Sequence, residues 1–219
     1  MIVVYTAILG GSDTLKPAPV GVADQCVCLT DAPDQDPKGW QLREWVVINK
    51  SPRLDAWHLR CNSHRLFPRA DQVLWLDASF AMLDVAALFR DAGDAELAGL
   101  RHHERSSCYQ EGRELVDIGQ SLEPDVCAQL DQYAREGFAP STLTTSGILL
   151  RRQTATVAAF NELWLEEIYR HPGDNTQLSL DYAAWKVGLP ITHLQGTYPD
   201  NPYVLYDGED HHLHRRPYR

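Results

Sequence analysis

Apolar and polar positions along this chain fall into two alternating rhythms. "IVVYTAIL" at residues 2–9 is β-branched and aromatic and stops at "GGSD". That predicts a central strand exiting into a loop. A second strand is expected at Cys26–Leu29 between Pro- and Asp-rich loops, and a third in "QLREWVVI" (41–48). "SPRLDAWHLRCNSHRLFP" opens on Ser51-Pro52 and predicts one helix to about Leu66, since Ser and Pro are favoured at a helix N-cap and first position. "QVLWLD" (72–77) is continuously apolar, the pattern of a strand covered on both faces. "DVAALFRDAGD" (84–94) reads as a helix, and "AELAGLRHHE" (95–104) as a strand-like piece passing into a polar loop. "EPDVCAQLDQYAREG" predicts a helix ended by Gly137, and "STLTTSGILLRR" (141–152) a strand with a Gly kink. "TATVAAFNELWLEEIYRH" (154–171) has the strongest helical spacing of apolar residues in the chain. "NTQLSLDYAAWKVG" follows as a helix, "LPITHLQG" as a short late strand, and the rest as a polar tail. Alternation of this kind argues for an α/β fold, a mixed, mostly parallel sheet with helices on both faces.

Composition narrows the class. A length of 219 residues suits one α/β domain, and no repeat or linker divides it. The net charge of -10 speaks against a broad nucleic-acid footprint, which needs a basic face. Locally basic stretches remain in "RHHERSSCYQEGR" and "HHLHRRPYR". The five cysteines match no zinc or CxxC spacing and read as buried free thiols of a reducing compartment. No cationic leader precedes the first strand, and no apolar run approaches ~18 residues. A cytoplasmic protein without a membrane partner is expected.

Ligands of such sheets lie beyond the carboxyl ends of the strands. Those ends carry "GGSD", "TDAP", "DAS" and "TSG". Asp77 and Ser79 alternate after a buried strand and suit a hard cation that bridges phosphates, because Mg²⁺ and Mn²⁺ take oxygen ligands. The same residues also suit a helix cap before "DVAALF". The paired glycines 10 and 11 form neither GxGxxG nor a P-loop. Ser146-Gly147 fits a β-bulge as well as a site where a ligand passes. No GxSxG is present, and Cys108 beside His102 and His103 does not by itself make a cysteine hydrolase.

Taken in order, "VYTAILGGSDTLKPAP", "DQCVCLTDAP", "PRLDAWHLRCNSHRLFPRADQVLWLDASF", "HHERSSCYQEG", "GILLRR", "FNELWLEEI" and "TQLSLDYAAWK" resemble the plant TOD/MUCI-type glycosyltransferase-like family across nearly the whole chain. The resemblance implies a single GT-A domain. Its nucleotide-binding half would span about 1–100, its acceptor half about 101–205, and a polar tail 206–219. It puts Asp77-Ala78-Ser79 at the acidic element that holds Mn²⁺ or Mg²⁺ on a diphosphate, with Ser where a second acid is usual. His193 is similar to a late metal-ligand His, which makes Asp77, Ser79 and His193 the implied metal ligands. Tyr5, Thr6, Ala7, Asp13 and Asp31 fall where such enzymes grip the nucleoside. Ser146 and Gly147 join them on the donor side. Arg60 takes a Lys position of the family and Arg53 keeps its Arg, and either suits a diphosphate. The family's Asp-Gln-Leu-Ser is Thr176-Gln177-Leu178-Ser179 here. Gln177 is carried over, and Asp174 or Asp181 is left to replace the missing acid.

The implied reaction is sugar transfer from a nucleotide-diphosphate sugar, a UDP-sugar first, by a metal-dependent hexosyl- or pentosyltransferase. The acceptor is open: a polysaccharide, a metabolite or, as the one nucleic-acid case, a modified base. The competing reading is a catalytically silent binder of nucleotide sugars. A phosphatase or nucleotidyl transferase built on Asp77 lacks the further carboxylates such sites use.

Overall fold

The computed structural model describes residues 1–49, 51–171 and 176–207. Seven strands form one sheet in the order β3-β2-β1-β4-β7-β6-β8. Its first half is parallel: β1 (Ile2–Ile8) lies between β2 (Gln25–Thr30) and β4 (Gln72–Leu76), and β3 (Gln41–Glu44) flanks β2. The long β7 (Thr144–Arg152) runs antiparallel between β4 and β6 (Leu97–Arg101), and β8 (Ile191–Thr197) is parallel to β6. A two-stranded ribbon pairs β5 (Phe80–Met82) with β9 (Val204–Tyr206). The helices are α1 (Pro52–Cys61), α2 (Ser63–Leu66), α3 (Val85–Ala92), α4 (Cys108–Asp117), α5 (Glu123–Arg135), α6 (Ala155–Arg170) and α7 (Gln177–Lys186). None of them is long and apolar enough to cross a membrane.

Strand alternation builds the two cores. Val3, Tyr5 and Ala7 of β1 face one side, with Leu59 of α1, Trp164 of α6 and Leu180 of α7. Val4 and Ile8 face the other, with Val85 and Leu88 of α3. Both faces of β1, β4 and β7 are therefore covered, as their apolar runs require. A third cluster joins Leu115 of α4, Tyr133 of α5 and Tyr182 of α7, where the Tyr133 and Tyr182 rings stack at 3.7 Å.

Four local expectations change. The third strand ends at Glu44, because Asp55 draws the following segment off the sheet by accepting from Trp45 Nε1, Ile48 N and Asn49 N. The predicted single helix to Leu66 is two, broken at Asn62, whose Nδ2 donates to the His58 carbonyl. The polar loop after His103 contains α4, capped by Ser107. The expected tail 206–219 overlaps β9 at Tyr206, and its residues 208–219 lie outside the described residues. None of the five cysteines is in a disulfide, and only Cys28, Cys61 and Cys108 are buried; Cys26 is intermediate and Cys127 exposed.

Candidate functional site

The exits of β1 and β4 and the face of α1 enclose a cleft of about 840 Å³ at the carboxyl edge of the parallel half-sheet. Gly10 gives the β1 exit its shape. Its φ is +63°, a Cβ would stand 2.9 Å from Pro52 Cγ, and its N–H donates to Asp31 Oδ2 at 2.8 Å. Asp31 thus anchors the loop and is not on the cleft wall. Asp13 is on the wall, paired with Lys16 at 3.5 Å. On α1, Arg53 Cζ lies 4.5 Å from the Trp57 ring centre, and both residues line the cleft. Ser51 starts this helix by accepting from Leu54 N, with Pro52 in the first turn.

Arg60, from the last turn of α1, is the centre of the site. Nη2 donates to Asp77 Oδ1 at 2.5 Å. Nη1 donates to Ser146 Oγ and Thr176 Oγ1, each at 2.8 Å, and those hydroxyls lie 3.0 Å apart. The guanidinium lies over the Trp75 ring at 5.1 Å. Trp75 Nε1 also donates to Asp77 Oδ1, at 2.7 Å. Four elements, α1, β4, β7 and α7, thereby meet on one cation.

Gly147 makes room for this. Asp77 N donates to its carbonyl at 2.8 Å, and a Cβ there would fall 3.1 Å from Asp77 Oδ2 and 2.9 Å from Phe80 Cε2. Ser146 and Gly147 also lie in a bulge, since residues 145–148 of β7 stand opposite Leu100 alone between the Thr144–Arg101 and Leu149–Gly99 pairs. The bulge is present, while neither Ser146 nor Gly147 is on the cleft wall. The bulge directs Ser146 at Arg60.

The helix-cap reading of "DAS" does not hold, because Asp84 caps α3 by accepting from Ala87 N at 2.8 Å. Nor do Asp77 and Ser79 alternate on a strand. β4 stops at Leu76, and Phe80 N donates to the Asp77 carbonyl to close a turn. Ser79 is buried on the cleft wall.

Tyr5 and Thr6, expected to grip the nucleoside, and His193, implied as a metal ligand, are not on the cleft wall. Tyr5 is a fully buried core residue whose hydroxyl donates to the Arg60 carbonyl at 2.9 Å and accepts from Arg151 at 2.8 Å. Burial raises its phenol to about 12. Thr6 is buried off the cleft, its hydroxyl without a hydrogen-bond partner. His193 stands in register with Gly99, which faces Leu149, which faces Trp75. Three strand spacings, roughly 14 Å, therefore separate it from the Trp75 position. Its Nε2 lies 3.1 Å from Thr144 Oγ1, and burial, then Arg101, lowers its pKa. Ala7 does line the cleft. Gln177 sits in the first turn of α7 beside Thr176. Asp174 lies outside the described residues. Asp181 is buried under β7, accepting from Thr144 N at 2.9 Å, and burial raises its carboxyl to about 6.

The far wall is aromatic, and sequence patterning missed it. Phe80 meets Tyr198 edge-on at 5.3 Å and Tyr206 at 5.8 Å, and both tyrosines line the cleft. Only the β5–β9 pairing, between segments far apart in the chain, brings Tyr206 there.

These side chains fit a divalent-cation clamp poorly. Asp77 Oδ1 already accepts from Arg60 and Trp75. Asp13 is tied to Lys16, and His193 is across the sheet. Among the described residues no three His, Cys, Asp or Glu side chains come together.

The TOD1/MUCI70 glycosyltransferase-like domain profile matches residues 59–195, a stretch that includes Arg60, Asp77, Ser146 and Thr176. A search of curated proteins finds no match. Among solved structures, the apo structure of the bifunctional glycosyltransferase WbbM is similar at 16% identity with a TM-score of 0.49. That alignment covers 88% of this chain and 38% of the WbbM chain. With the profile spanning more than half of its length, the chain belongs to the TOD1/MUCI70 glycosyltransferase-like family.

Proposed function

We propose that the chain transfers a sugar from a nucleotide-diphosphate sugar, a UDP-sugar first among the donors to try, to a hydroxyl acceptor. The observation that carries the reading is Arg60, a guanidinium fixed by four elements on a cleft of about 840 Å³ at the strand ends. That volume suits a small-molecule ligand. The wall supplies Arg53 and Arg60 for the diphosphate, and Trp57, Tyr198 and Tyr206 as faces for a base and sugar rings.

In the reaction, the bond from the sugar's anomeric carbon to the diphosphate oxygen breaks and its electron pair leaves on the phosphate. The acceptor oxygen bonds that carbon and gives up its proton to the departing diphosphate. Arg60 offers charge-assisted hydrogen bonds where negative charge grows, which lowers the barrier more than the ground state. Its fixed side chain needs little reorganisation as this happens.

A silent nucleotide-sugar binder is the second reading, favoured by Thr176 in the family's Asp position. A thermal-shift screen of nucleotide sugars tests binding. A ligand at ~100 times its Kd adds about 2.7 kcal/mol, a midpoint rise of roughly 5–10 °C for this size. No shift with any nucleotide sugar would remove the proposal's support. A shift without release of UDP from UDP-sugars, with or without candidate acceptors, would favour the silent binder.

A further inference from the structure

We infer that Arg60 neutralises the donor diphosphate in place of a divalent cation, so that nucleotide binding in this cleft is metal-independent. The inference rests on the glycosyl-transfer reading above. It starts from the disagreement between the cation site the family resemblance implied and the groups the fold assembles there.

A cation clamp uses its carboxylate to hold the metal. Here Asp77 Oδ1 accepts instead from two fixed donors, Arg60 Nη2 at 2.5 Å and Trp75 Nε1 at 2.7 Å. The neighbouring hydroxyl, Ser79, has left the strand for a turn, and the implied late ligand His193 bonds Thr144 on the other half of the sheet. A divalent ion at Asp77 would share that carboxylate with a guanidinium, and the two positive charges repel.

Arg60 is built into its place as a metal would be. Its side chain is only 11% exposed, covered by the Trp75 ring at 5.1 Å. Ser146 and Thr176 hold Nη1, while Nε is buried with no hydrogen-bond partner. A guanidinium binds phosphate oxygens through a planar fork of donors and cannot lose its charge. The diphosphate competes with Asp77 for Nη2, and Asp77 keeps the Trp75 donor when it yields. Arg53, on the same wall, offers a second cation.

The test is calorimetric titration of the full chain with UDP, and with GDP, CDP, TDP and ADP as a panel, in EDTA and in excess MnCl₂. The expected result is affinity in the two buffers that agrees within about twofold. Arg60→Gln should weaken binding by at least about 30-fold, the order expected for lost hydrogen bonds to a charge, and Mn²⁺ should not restore it. Circular dichroism checks that this variant is folded. Asp77→Asn serves as a second variant independent of it, and should bind UDP in EDTA at least as tightly as the wild type, since Arg60 loses its competitor. Binding that Mn²⁺ tightens more than about tenfold, and that Asp77→Asn abolishes, would overturn the inference and leave glycosyl transfer standing. No nucleoside diphosphate bound in either buffer would overturn both.

Discussion

A methyl group on Gly147 would stand 3.1 Å from Asp77 Oδ2 and 2.9 Å from Phe80 Cε2, both on the cleft wall. Neither neighbour has room to retreat, since Asp77 is held by Arg60 and Trp75 and Phe80 is 2% exposed. Gly147→Ala should therefore destabilise the protein by about 1–3 kcal/mol, the usual cost of overpacking, and weaken UDP binding with it. Urea unfolding and UDP titration check the pair of effects, and a neutral substitution would show that Asp77 and Phe80 can yield to a methyl group. At this scale "DAS" was legible as a strand exit, whereas "TSG" lies at the start of β7 and reaches the same edge because β7 runs antiparallel to β4. Their partners were not legible. Thr176 read as a missing acid, yet its hydroxyl accepts from Arg60, a contact made because α7 starts beside the β7 bulge. Tyr5 read as a nucleoside contact, yet in a strand covered on both faces its ring turns inward to α1.

The elements most plainly written in the sequence are those with long apolar patterns: β1, β4, β7 and α6. Short elements with polar faces were lost. α4 buries Glu111 against Arg105, which broke its apolar stripe, and β9 has only three residues. Two buried carboxylates tie elements together, with opposite responses to pH. Asp55 joins α1 to the segment after β3; burial pushes its carboxyl up, but the hydrogen bonds from Trp45, Asn49 and Ile48 hold it below the usual range. A lowered acid stabilises above its unfolded pKa, and that contribution is lost as pH falls through the folded value. Asp181 joins α7 to β7 and is raised by burial from 3.8 to about 6. A raised acid disfavours folding as pH climbs between those values, here by about 3 kcal/mol at ~1.36 kcal/mol per unit. Asp181→Asn should remove that fall. Melting midpoints measured from pH 4 to 8 should drop less steeply in the variant than in the wild type, and equal slopes would contradict the burial of this charge.

For the whole molecule, the alternation of strands and helices already implied a mixed α/β sheet with ligands at the strand ends. The insertion of β7 antiparallel between β4 and β6 was not implied, because local patterning carries no pairing partner. That insertion decides the site. It brings Ser146 and Gly147 beside Asp77 and Arg60 while leaving His193, the implied late ligand, two strands beyond β7 and bonded to Thr144. The net charge of -10 is consistent with a site whose cations are few and fixed rather than spread over a face. A crystal structure of the full chain grown with UDP tests the central claim most directly. The diphosphate is predicted to lie in the β1–β4 cleft within hydrogen-bond distance of Arg60. UDP bound elsewhere, such as the groove between α4 and α5 lined by Tyr109, Val126 and Leu130, or bound in the cleft with its phosphates turned away from Arg60, would contradict it.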